Sequence, residues 1–139
     1  MYNTVFFKVA GEPASKANQR KMVMFGKKPA FIKSQKARDY EKSFESDCPQ
    51  LDKLFEGDLE VEMKIYYSTR RPDLDESLIL DCMQGKIYAN DRQVKAKKIY
   101  WGLDKKNPRT VIRVTKLNEI DTGPFEVPER TMMYCFETF

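Results

Sequence analysis

Apolar and polar residues alternate most regularly in "DLEVEMKIYY", residues 58–67. There Leu59, Val61, Met63 and Ile65 interleave with Glu60, Glu62 and Lys64. A period of two predicts a half-buried strand. Ala37, Tyr40, Phe44 and Cys48 recur instead at helical spacing, with Ser34 placed to cap the helix and Pro49 to end it. An apolar, β-branched run at 4–9 ends at "GEP" and reads as a first strand. "KMVMF" and "PAFIK" flank "GKK", the pattern of a hairpin whose glycine supplies the turn. "ESLILDCMQG" has a helical pattern, with Asp75 as a possible N-cap and Gly85 as the stop. Further strands are expected at 96–102 and 110–117, separated by "LDKKNP". Residues 118–139 are broken by prolines yet end in Met132, Met133, Tyr134, Phe136 and Phe139. Such an apolar tail is expected to dock on the domain or on a partner subunit.

The length, 139 residues, suits one domain spanning 1–139 with its own core. No run approaches the ~18 apolar residues of a membrane span, and the N-terminus does not read as a signal peptide. Cys48, Cys82 and Cys135 are widely spaced, as expected of free thiols in a cytoplasmic, reducing compartment. The chain has no histidine. That excludes Ser-His-Asp and Cys-His nucleophiles, histidine bases and His-ligated zinc. Catalysis would have to run on carboxylates, lysines, hydroxyls or a metal held by oxygen.

Charge is unevenly spread. Residues 1–42 carry ten Lys or Arg against three acids, while the rest of the chain is net acidic. The basic third suits a polyanion such as nucleic acid, and Lys16, Arg20 and Lys21 are the first candidates for backbone contacts. Read alone, such charge could equally be a solvated surface. Residues 70–94, "RRPDLDESLILDCMQGKIYANDRQV", gather Asp73, Asp75, Glu76, Asp81 and Asp91 among cations. Asp73 and Asp75 lie on one side if the backbone is extended, and Asp91 could return beside them. Three such oxygen donors suit a hard divalent cation, with Mg²⁺ the usual choice beside phosphates. A cation there would relieve the mutual repulsion, activate water and polarise phosphoryl oxygens. The competing reading is an acidic loop that caps and decorates a helix, since DxD alone is a weak signal.

The longer string resembles the RusA-like Holliday junction resolvases, a family common in phages and prophages. The matching pieces are "DLDE", "LDCMQG" and "YANDRQV", with "GEPASKANQRK" and "KSQKARDYEKSF" upstream. The resemblance covers most of residues 5–116 in the family order. It implies a small α+β fold with a mixed sheet and two main helices, acting as a homodimer on branched DNA in the bacterial cytoplasm. It also implies Mg²⁺-dependent (or Mn²⁺-dependent) paired nicks at four-way junctions. Asp73 and Asp75 match the family's DxD ligands, and Asp91 matches the second acid of its Asp-Asp pair. Asn90 stands where another Asp is usual, and Glu76 replaces an Asn and could add an anionic ligand. The family's lysine would fall at Ile79, leaving Lys86, Arg70 and Arg71 as candidate substitutes and DNA contacts. Tyr88, Tyr100 and Trp101 could stack on unpaired bases, although Tyr100 and Trp101 fit a core better. A restriction-type nuclease fits poorly, because Glu62 and Lys64 precede "RPD". A branched-DNA-binding protein with a decayed metal site is the main alternative, and an interaction protein working through its tail is another.

Overall fold

A computed structural model describes residues 3–70 and 72–117. The chain forms β1 (Thr4–Ala10), β2 (Arg20–Phe25), β3 (Lys28–Lys33), α1 (Gln35–Asp47), β4 (Leu59–Tyr67), α2 (Ser77–Met83), β5 (Val94–Leu103) and β6 (Arg109–Lys116). Short 3-10 turns occupy Lys16–Asn18 and Asp91–Gln93. Four strands make one mixed sheet in the order β1-β6-β4-β5, and β2 pairs only with β3. The fold is α+β, as expected. The tail expected to dock lies outside the described residues, as do Cys135 and Arg71.

The alternation in β4 dictates the layering. Leu59, Val61, Met63, Ile65 and Tyr67 are all buried, while the residues between them are half-buried on the outer face. The inner face receives α1 through Tyr40 and Phe44, and α2 through Leu78, Ile79 and Met83. Each large side chain taken out of water contributes about 1.5–3 kcal/mol. Phe44 meets Phe7 of β1 edge-on with centroids 5.8 Å apart, and the Tyr40 hydroxyl donates to Thr110 Oγ1 at 3.2 Å. That bond gives the buried Thr110 a partner, so the helix is keyed to β6 by polarity as well as by packing. Ser34 caps α1 as its sequence position implies, with Oγ accepting from the Ala37 N–H at 3.2 Å.

β4 and β5 run parallel, so the chain must cross back between them, and α2 is that crossover. β5 is longer than expected because its register follows β4 from Leu59↔Val94 to Tyr67↔Leu103. The same register settles the aromatic residues. Trp101 pairs with Ile65 on the inner face and stacks on Tyr67 at 6.4 Å. Tyr100 pairs with Lys64 and points outward, 55% exposed, so its expected place in the core is corrected. Cys48 and Cys82 are free thiols, and burial pushes both up to about 12. Among the described residues no helix is long and apolar enough to cross a membrane.

Candidate active site

The acidic segment begins where β4 ends. Tyr67 continues the inward stripe of that strand, and its ring is therefore fixed beneath the following loop. Its hydroxyl donates to the Asp73 carbonyl at 3.1 Å and accepts from the Asp75 N–H at 3.4 Å. Asp75 is held from two further sides. Oδ2 accepts the Lys16 N–H at 2.6 Å, and Oδ1 accepts the Ser77 N–H at 2.9 Å. Burial alone would push this carboxyl up. The Lys16 and Ser77 donors and the Lys16 charge outweigh burial and hold it below the usual carboxylate value. The expected N-cap role of Asp75 is corrected in detail: Glu76 occupies the cap position without a side-chain cap bond, and Asp75 closes a turn onto Ser77. The Glu76 carboxylate is paired with Lys97 Nζ at 3.1 Å.

Asp91 is placed by a different set of contacts. Its N–H donates to Gln84 Oε1 at 3.1 Å, which ties it to the C-terminal end of α2. Asn90 caps the turn that starts at Asp91, accepting from the Arg92 N–H at 2.9 Å, while Gln93 closes the reciprocal bond. The neutral residue at position 90 is thus spent on local structure. Asp91 stands near Asp81, whose carboxyl is raised by burial and then by the Asp91 charge, against the pull of Lys33 and Lys16. Asp81 also lines a cleft between the helices with Lys33, Glu41, Glu45 and Cys82.

The structure ties Asp73 and Asp75 to Tyr67 and sets Asp91 beside Asp81, with Lys16 acting on both Asp75 and Asp81. In chemical kind these carboxylates fit a hard divalent cation. In placement, the described residues contain no cluster of three or more acids, thiols or imidazoles set to hold a metal ion. Sequence reasoning missed Asp81 as the neighbour of Asp91. It also missed Tyr67 as the post that holds the loop, although the odd-numbered inward stripe of β4 already pointed to it.

The cations are distributed just as unequally. Lys16 joins the two acidic groups: its N–H holds Asp75, and its charge acts on both Asp75 and Asp81. Arg20 and Lys21 are exposed in β2. Arg70 lies with its guanidinium carbon 5.9 Å from the centre of the Trp101 ring. Lys86 is mostly buried and pairs with Glu45 at 3.2 Å. Ile79, the position of the family lysine, is fully buried in the core. Tyr88 is fully buried too, with its hydroxyl donating to the Leu80 carbonyl at 2.6 Å, so its stacking on bases is ruled out.

The acids between β4 and β5 and the basic ribbon fastened to them by Lys16 and Gln19 lie within one matched stretch of the chain. Residues 10–115, well over half of the chain, match the family model for Endodeoxyribonuclease RusA. The chain belongs to the RusA endodeoxyribonuclease family, nucleases that bind branched DNA, resolve Holliday junctions and generally depend on a divalent metal. No curated protein matches it.

Proposed function

We infer that this chain is a crossover junction endodeoxyribonuclease, a homodimer that hydrolyses phosphodiesters at four-way DNA junctions in paired nicks. The observation that carries the reading is the family match from the end of β1 almost to the end of β6, a stretch that contains every candidate acid. Asp73, Asp75 and Asp91, with Glu76, are the acids expected to serve Mg²⁺ or Mn²⁺, although the described residues do not gather them into one cluster. Such a cation supplies charge neutralisation and Lewis acidity at the scissile phosphate. The remaining work falls to the protein. The Lys16 and Ser77 N–H groups keep Asp75 ionised and oriented, and Tyr67 fixes the loop that carries Asp73. Lys16, Arg20, Lys21 and Arg70 bind backbone phosphates, which position DNA without reading sequence. Two copies would supply one site per strand.

The test compares a labelled four-way junction with a linear duplex, each with Mg²⁺ and with EDTA, using wild type beside Asp75→Asn and Asp91→Asn. Nicks confined to the junction and to Mg²⁺, and lost in both variants, are expected. A second reading, a branched-DNA-binding protein without catalysis, is favoured by the burial of Ile79 where the family places its lysine. Junction binding without cutting in either Mg²⁺ or Mn²⁺ would select it.

A further inference from the structure

The β2–β3 hairpin contributes no buried residue to the core, yet it carries Met22, Met24, Phe25 and Phe31 at 60%, 58%, 66% and 70% exposure. In the antiparallel register Met22 faces Phe31 and Met24 faces Pro29. Alternation puts these four on one face, above the Arg20↔Lys33 pair. Phe25 and Lys28 close the ribbon on the other face, and Gly26, at φ +64°, makes the turn with Lys27. Between residues 16 and 33 there are six cations and no acid.

A lone two-stranded ribbon is marginal in water, and among the described residues this one is held at its root. The Ser34 N–H donates to the Gln19 carbonyl at 2.8 Å, and the Ser34 hydroxyl donates to the Asn18 carbonyl at 2.6 Å. Lys33 pairs with Glu41 of α1 at 2.8 Å, and Gln19 Nε2 donates to Ser77 Oγ at 3.0 Å. With the Lys16–Asp75 bond, the root is fastened directly to the acidic segment.

We propose that this hairpin is a wedge whose Met22–Met24–Phe31 face stacks on unpaired bases at the centre of a branched DNA, while Lys21, Lys27 and Lys28 hold the flanking phosphates. The inference rests on the junction reading above and names the part that recognises the branch. Apolar side chains beside cations are the combination that receives a base and its phosphate together. A second copy of the chain suits this face less well, because two such ribbons would bring their cations together.

The test places 2-aminopurine at the crossover of a four-way junction and follows its fluorescence in EDTA, so that nothing is cut. Wild type is compared with Phe31→Ala, with Met22→Ser/Met24→Ser and with Lys27→Ala/Lys28→Ala, while sedimentation reports the oligomeric state. Wild type is expected to brighten the probe. Phe31→Ala should remove that signal and weaken junction binding by about 5- to 150-fold, the usual worth of one stacked base, leaving linear duplex binding unchanged. The double lysine variant should keep the signal and lower the salt slope of binding by about 2. Unchanged signal and junction affinity in Phe31→Ala would overturn the wedge. So would a switch to monomer, which would make the face a subunit interface. A wild type that cuts junctions in Mg²⁺ alongside an unaffected Phe31→Ala removes the wedge alone, whereas a wild type that ignores junctions removes both readings.

Discussion

The sheet with its two helices and the β2–β3 hairpin use the same residue types to opposite ends. In the body, Phe7, Phe44 and Met63 are buried and the partly covered charges are paired, as in Lys86–Glu45 and Lys97–Glu76. In the hairpin, Phe31 and the methionines face solvent. The body holds the loop after Tyr67 through that residue's hydroxyl, and among the described residues the hairpin leaves its apolar face exposed. A domain can spend side chains on folding in one region and on a partner in another, and burial separates the two more sharply than composition does.

The largest effects should come from breaking the body. Phe44→Ala should cost about 3–5 kcal/mol in unfolding free energy, as buried aromatics do. Phe31→Ala, the same change in the hairpin, should stay within about 0.5 kcal/mol. Chemical denaturation of the two variants would erase the contrast if the costs came out equal. Ile79→Lys, which restores the family's residue type, should not rescue activity. It should destabilise the protein by several kcal/mol, because the ammonium enters a dry core. A thermal shift that leaves the midpoint unmoved would refute that placement.

A smaller effect is expected at Glu12, whose Oε1 accepts both the N–H and the hydroxyl of Ser68, while Oε2 lies 3.3 Å from Lys36 Nζ. Burial opposes ionisation here, but the Ser68 bonds and Lys36 hold the carboxyl below its ordinary value of 4.5. A lowered folded value means stability that is complete above the unfolded value and is lost as pH falls through the folded one. Glu12→Gln should cost about 1–2 kcal/mol at neutral pH and flatten the acid limb of a stability–pH curve, a shape readable by urea melts between neutral and acid pH. The smallest stability change belongs to Lys27→Ala/Lys28→Ala, which should leave folding untouched and alter only the salt dependence of DNA binding.

Much of the fold was legible in the sequence because each element had its own period. The odd-numbered stripe of β4 and the Ala37–Tyr40–Phe44 stripe of α1 each had one physical solution, and Ser34 and Pro49 bounded the helix. The hairpin was readable from Gly26 between two apolar runs. Its exposure was not, since nothing local says whether Phe31 finds a neighbour. The site was legible as a set of residue types but not as a grouping. Asp91 falls beside Asp81 because Gln84 and the Asn90 cap draw it to the far end of α2, and those contacts join residues whose proximity depends on the crossover. The Lys86–Glu45 pair was likewise not legible, since it joins residues 41 positions apart.

The central claim is paired hydrolysis at a four-way junction, and a supercoiled plasmid that extrudes a cruciform tests it most directly. Wild type in Mg²⁺ should convert the plasmid to linear form through two cuts placed symmetrically across the cruciform, with nothing cut in EDTA or by Asp75→Asn. Plasmid that stays supercoiled in Mg²⁺ and Mn²⁺, or that stops at the open circle, would contradict it.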